Sequence, residues 1–219
     1  MKINTDGVLL GALTFAENPM SIIDIGTGTG VIALMLAQRF INARVDAVEI
    51  DISAAETARK NFKSSVFVER LHIFPNSIET FFDERPDNKY DLIISNPPFY
   101  LNSLESPKKE KSVAKHTDHD FFDVLMSGIA EHLSKKGLCW LILPVQTAML
   151  IKQLAKQNHL YLQKTIAIRS FENSEPHREI VCFGFEDVLT ETTNFTIYEA
   201  TGIYSDEYKT LLQPYFLNF

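Results

Sequence analysis

Short apolar runs alternate along the first two thirds of the chain with stretches whose apolar residues recur every three or four positions. The runs at 21–25, 44–49, 71–75 and 90–95 have strand length, and the periodic stretches at 31–40, 53–62 and 78–82 fit helices lying between them. Strand, helix, strand at this spacing predicts parallel pairing through right-handed crossovers. A polar stretch at 102–118 then leads to a helix predicted at 121–133. Beyond Lys136-Gly137 come an apolar strand at 138–143 and a helix at 146–157. The last third changes character. Runs at 160–169, 179–185 and 195–198 read as strands, some joined by turns, so antiparallel strands are expected at the C-terminal side of a mostly parallel sheet. The expected fold is a doubly wound α/β, Rossmann-like domain spanning residues 1–219, with no repeat or linker to divide it.

Composition narrows the function classes. The 219 residues carry a net charge of −7, which disfavours a general nucleic-acid binder, because phosphate neutralisation draws on Lys and Arg. A local exception is the basic stretch Lys108, Lys109, Lys111 and Lys115, which suits either a phosphate contact or a solvated loop. No apolar run reaches the roughly 20 residues of a membrane span, and residues 1–13 lack a signal-peptide core, so a cytosolic protein is expected. Cys139 and Cys182 sit in apolar segments without metal-binding spacing and are expected to be buried thiols. His116-Thr117-Asp118-His119-Asp120 has the residue types of a metal cluster. A helix N-cap at Thr117 or Asp118 accounts for it better, and no metal is expected.

Two motifs carry the candidate chemistry. Asp24-Ile25-Gly26-Thr27-Gly28-Thr29-Gly30 lies where the first strand turns into the first crossover helix, and Glu49 ends the next strand. Glycines let the chain turn sharply and let a ligand approach the backbone, while a carboxylate at the second strand end can accept from both hydroxyls of a ribose. Gly28-x-Gly30-x-x-Ala33 with an acid about 20 residues on also satisfies a dinucleotide fingerprint, so that reading stays open. Asp24 tilts the balance toward S-adenosylmethionine: it can hold an amino group through loop amides or water, whereas it would repel a pyrophosphate.

The second motif, Asn96-Pro97-Pro98-Phe99, ends the fourth strand. An aromatic amino group is a poor nucleophile because its lone pair is delocalised. Two acceptors aimed at its hydrogens, the Asn96 side-chain oxygen and the Pro97 carbonyl, favour the state in which nitrogen becomes pyramidal and positive. Pro98 stiffens the loop, and Phe99 offers a face on which a flipped base can stack.

With these motifs the chain resembles the class I amino-methyltransferases, and among them the bacterial tRNA adenine-N(6) methyltransferases that modify adenine 37 of a valine tRNA. The resemblance rests on Lys2-Ile3-Asn4-Thr5-Asp6-Gly7-Val8-Leu9-Leu10-Gly11-Ala12, residues 24–30, Asn96 to Phe99, and Pro176-His177-Arg178. It implies an S-adenosylmethionine cofactor, a tRNA substrate and no obligate protein partner. Thr5 and Asp6 are then cofactor contacts or the N-cap of a helix at 8–12, and His177 and Arg178 are RNA contacts or the end of a turn. At the end of the third strand, where this class commonly has Asp for the cofactor's adenine amino group, the chain has Asn76-Ser77; either can accept that hydrogen bond through its side-chain oxygen, and Ser77 is the candidate contact. Family members usually carry an aromatic and basic segment ahead of the stretch matching Met1-Lys2, so a form beginning here is expected to bind tRNA more weakly than an extended one. Protein-glutamine methylation, DNA adenine methylation and a non-catalytic cofactor-binding module in RNA assembly remain the competing readings.

Overall fold

The computed structural model describes residues 4–98 and 111–216, the latter with side chains from Asp120 onward. Nine-residue α1 (Thr5–Leu13) precedes the alternating region, which runs β1 (Ser21–Ile25), α2 (Val31–Arg39), β2 (Arg44–Val48), α3 (Ile52–Lys63), β3 (Leu71–Phe74), α4 (Ile78–Asp83), β4 (Tyr90–Ser95), α5 (Lys111–His132), β5 (Leu133–Pro144) and α6 (Val145–Gln157). The C-terminal part contributes β6 (Tyr161–Arg169), β7 (Arg178–Gly184), β8 (Glu191–Thr196), a small hairpin of β9 (Tyr198–Ala200) and β10 (Ile203–Tyr204), and α7 (Asp206–Leu212).

One eight-stranded sheet has the order β3-β2-β1-β4-β5-β7-β6-β8. Strands β1 to β5 pair in parallel, and β7 runs antiparallel to both β5 and β6. Alternation along β4 explains the two-sided core: Leu92 and Ile94 join the cluster beneath α1 and α2, while Ile93 joins Phe81, Phe122 and Leu125 from α4 and α5. Both cysteines are buried, Cys139 in one cluster and Cys182 in the other.

Three expectations are corrected. Helix α5 starts at Lys111, ten residues before the predicted boundary, so Thr117 and Asp118 lie inside it and not at its N-terminus. Strand β5 starts at Leu133 instead of 138: Leu133 pairs with Tyr90 and Leu138 with Leu92, and the shift in register absorbs Lys136-Gly137. Gly137 is needed there, because a Cβ would stand 2.8 Å from the Tyr90 carbonyl oxygen. Finally, β8 begins at Glu191, four residues before the predicted strand. It is an edge strand in which Phe195 is buried and Glu191, Thr192 and Asn194 are exposed, so it carries no apolar signal over its first four positions.

Among the described residues no helix is long and apolar enough to cross a membrane, and no three His, Cys, Asp or Glu residues are grouped to hold a metal ion.

Candidate functional site

The ends of β1, β2, β3 and β4 open onto one pocket of ≈ 690 Å³, bordered by Gly26, Gly28, Glu49, Asn76, Ser77 and Asn96 among others. The glycine loop makes its floor. Gly26, Gly28 and Gly30 have φ of 70°, 59° and 85°, a region that L side chains rarely adopt. Their surroundings differ. A Cβ on Gly26 would meet nothing within 4 Å, whereas one on Gly30 would stand 2.4 Å from the Phe62 ring of α3. Gly26 and Gly28 border the pocket, and Gly30 serves the packing of the loop against α3.

Asp24 lies beneath this loop, fully buried. Its Oδ2 accepts from the Thr27 hydroxyl (2.5 Å) and from the Ala33 amide (3.1 Å) in the first turn of α2. The N-cap of α2 is Gly30, which has no side chain to cap with, so Asp24 supplies the carboxylate that this helix end favours. Its Oδ1 is buried without a hydrogen-bond partner. Burial pushes its pKa up to about 7, against the two hydrogen bonds, which lower it, and with the nearby Glu49 adding to the rise.

Glu49 joins the loop to the next crossover. Its Oε2 accepts from the Gly28 amide and its Oε1 from the Asp51 amide, both at 2.8 Å. A carboxylate has roughly four acceptor positions, so the two backbone bonds orient the group and leave capacity toward the pocket. Asp51 caps α3 through Ala54, and Ile50 between these acids stays 71% exposed at the pocket edge. Ser77 caps α4 by accepting from the Thr80 amide, which spends part of the acceptor capacity expected of it, while Asn76 stands beside it on the pocket.

On the other side of β1, the buried Ser95 hydroxyl donates to the Ile25 carbonyl at 2.7 Å and pins the end of β4 to the end of β1. Asn96 and the buried Pro97 therefore emerge directly beside the glycine loop, and Pro98 is exposed. Asn96 Oδ1 is buried and has no hydrogen-bond partner among the described residues. A carbonyl oxygen held dry and unpaired is costly unless something donates to it. Phe121 of α5 completes this side of the pocket.

The remaining sequence candidates are dispersed. Thr5 and Asp6 are the first two residues of α1, whose N-cap is Asn4 and not either of them: Asn4 Oδ1 accepts from the Gly7 amide at 2.8 Å. Asn4, Gly7 and Val8 border the pocket, whereas Asp6 pairs with Arg178 at 2.8 Å. His177 is largely exposed just before β7; desolvation of its covered part and the Arg178 charge, opposed by Asp6, hold its pKa below the usual histidine value. Phe99, Lys108 and Lys109, with the side chains of Lys111, Lys115 and His116, lie outside the described residues. Asn4, Ile50, Asp51 and Phe121 were not singled out from sequence. Asn4 and Asp51 each had a signal, a capping residue type directly before a helical run.

Residues 7–158 match the family model described as methyltransferase small domain. The chain is 48% identical over 219 residues to the tRNA1(Val) (adenine(37)-N6)-methyltransferase of Pedobacter heparinus, an alignment that covers 100% of this chain and 92% of the relative. With the protein of the same name from Bacteroides thetaiotaomicron the identity is 37% over 226 residues, covering 100% and 91%. Among solved structures, a predicted O-methyltransferase from Agrobacterium tumefaciens superposes with a TM-score of 0.71 at 18% identity, covering 95% of this chain and 96% of that one. TrmN from Thermus thermophilus gives 0.58 at 19%, covering 75% and 43%. These two likenesses establish the fold.

Proposed function

Since the chain belongs to the tRNA1(Val) (adenine(37)-N6)-methyltransferases, within the methyltransferase small domain family, we propose that it methylates the N6 amino group of adenine 37 in a valine tRNA from S-adenosylmethionine, in the cytoplasm. The residues on the pocket fit that cofactor. Gly26 leaves open space where any side chain would stand, Glu49 is held by two amides with acceptor capacity left for a ribose diol, and exposed Ile50 offers an apolar face for a purine. Bound there, S-adenosylmethionine supplies an electrophilic methyl group.

The observation that carries the catalytic reading is the buried, unpartnered Asn96 Oδ1 next to the glycine loop. In this reading it accepts one N6 hydrogen and the Pro97 carbonyl accepts the other. Both bonds strengthen as the nitrogen gives up conjugation and gains positive charge, so they favour the transition state over the ground state. An amide cannot take the proton away. Asn96 therefore orients and polarises, and once the nitrogen has been alkylated and made acidic its proton passes to water. Pro98 and Phe99 are proposed base contacts, with Lys108, Lys109 and His177 as phosphate contacts.

The test is transfer of a labelled methyl group to valine tRNA lacking the modification, followed by nucleoside mass spectrometry. N6-methyladenine at position 37 is expected, with none in a transcript carrying guanine there. Label on protein, on DNA or on another nucleoside would overturn the assignment.

A further inference from the structure

The start of α1 contributes to the wall of the pocket, where Asn4, Gly7 and Val8 line the cavity. A nine-residue helix is marginal by itself, and its position depends on what holds it. Its middle and end are fixed by apolar packing: Gly11 lies against Met35 of α2, and Leu9 and Leu10 are fully buried. Its first turn is exposed at Asn4 and Thr5. There Asp6 Oδ2 accepts from Arg178 Nε at 2.8 Å, across 172 residues of sequence. Arg178 is the first residue of β7 and pairs with Pro144 at the end of β5, so it stands at the same rim of the sheet as the pocket. The two side chains are only 28% and 20% exposed, which limits screening by water and salt. A second guanidinium nitrogen of Arg178 donates to the His177 carbonyl (2.9 Å), which fixes the direction in which the group points.

We propose that Arg178 is a positioning residue for the cofactor: with Asp6 it clamps the first turn of α1 over the pocket, so that the C-terminal antiparallel strands decide how well the N-terminal helix closes on S-adenosylmethionine. Arg178 acts through Asp6 and not on the reacting atoms. The inference rests on the reading of this pocket as the cofactor site.

The test measures binding of S-adenosylhomocysteine by calorimetry to the wild type, Arg178→Ala, Arg178→Lys, Asp6→Asn, the single reversals Asp6→Arg and Arg178→Asp and the two reversals together, and binding of valine tRNA by filter binding to the wild type and Arg178→Ala. A charge-assisted hydrogen bond that orders a binding wall predicts roughly a tenfold rise in Kd for Arg178→Ala and for Asp6→Asn. Arg178→Lys should recover part of the loss, and the exchanged pair should recover more than either of its single charge reversals. Amides of residues 5–9 should exchange faster in the two weakened variants. Unchanged Kd in both Arg178→Ala and Asp6→Asn would overturn the clamp. If Arg178→Ala weakened tRNA binding alone, Arg178 would be an RNA contact instead. Failure of the wild type itself to bind S-adenosylhomocysteine would reject the cofactor reading, and this role of the pair with it.

Discussion

Asn96 carries an amide where a base would carry a carboxylate, and that difference sets how its loss should read. Asn96→Ala should lower the single-turnover rate by roughly 10²–10³, the usual cost of removing one preorganised polar group aimed at developing charge. The Kd for S-adenosylhomocysteine should move far less, and a near-wild-type rate would remove Asn96 from the mechanism. Glu49→Ala should do the reverse, weakening cofactor binding by about 1–3 kcal/mol in calorimetry through lost charge-assisted bonds and the release of the Gly28 and Asp51 amides. Asp24 sets a pH dependence of stability in the cofactor-free protein. Its pKa is raised from 3.8 to about 7 on folding, so between those values the folded state holds a proton that the unfolded state has released. Its contribution to stability is therefore fully present below about 3.8 and is lost as pH rises through 7. Urea denaturation of wild type and Asp24→Asn from pH 4 to 8 should show the wild type losing ground to the variant, by at most ~1.4 kcal/mol per pH unit, with the difference flat above about 7. Parallel curves over the whole range would show that Asp24 is charged in the fold.

At the scale of the element, the three glycines of one loop have two different duties. Gly30→Ala combines positive φ with overlap against Phe62, and should lower unfolding free energy by about 2–5 kcal/mol. Gly26→Ala meets no protein atom and should cost only ~1–2 kcal/mol in stability, while its methyl group stands where the ligand must approach and raises KM. Equal stability losses would mean that the loop repacks. The elements themselves were legible in the sequence to different degrees. Strands β1, β2 and β4 are buried, apolar and bounded by turn residues, so periodicity found them within a residue of their true ends. The starts of α5 and β5 were misplaced for different reasons: the first turns of α5 are polar in sequence and offer no apolar periodicity, and the start of β5 is a register shift accommodated by Gly137 against Tyr90. The first half of β8 and the β9-β10 hairpin have no apolar periodicity to read, because an edge is satisfied by backbone pairing on one side and water on the other.

For the whole molecule, a net charge of −7 means that a polyanionic substrate must be met by a local concentration of cations. Replacing Lys108 and Lys109 by Ala should weaken valine tRNA binding similarly for modified and unmodified forms, and each lost phosphate contact should flatten the slope of log K against log salt by roughly 0.7–1 in filter binding. Slopes equal to the wild type would place the RNA surface elsewhere. The sequence alone determined that a parallel sheet would bring residues 24–30, Glu49 and Asn96 to one edge, because local periodicity fixes the strands and the handedness of crossovers fixes the side on which their loops emerge. It also carried the candidate chemistry, since the candidate residues are clustered in short motifs. Only the tertiary structure decided which of them border the pocket. It turned Gly30 toward Phe62, buried Asp24 as the cap of α2, seated Asn4 beside the pocket and joined Asp6 to Arg178. Those outcomes depend on side chains from elements far apart in the chain meeting at one place, and such meetings leave no periodic trace in a sequence.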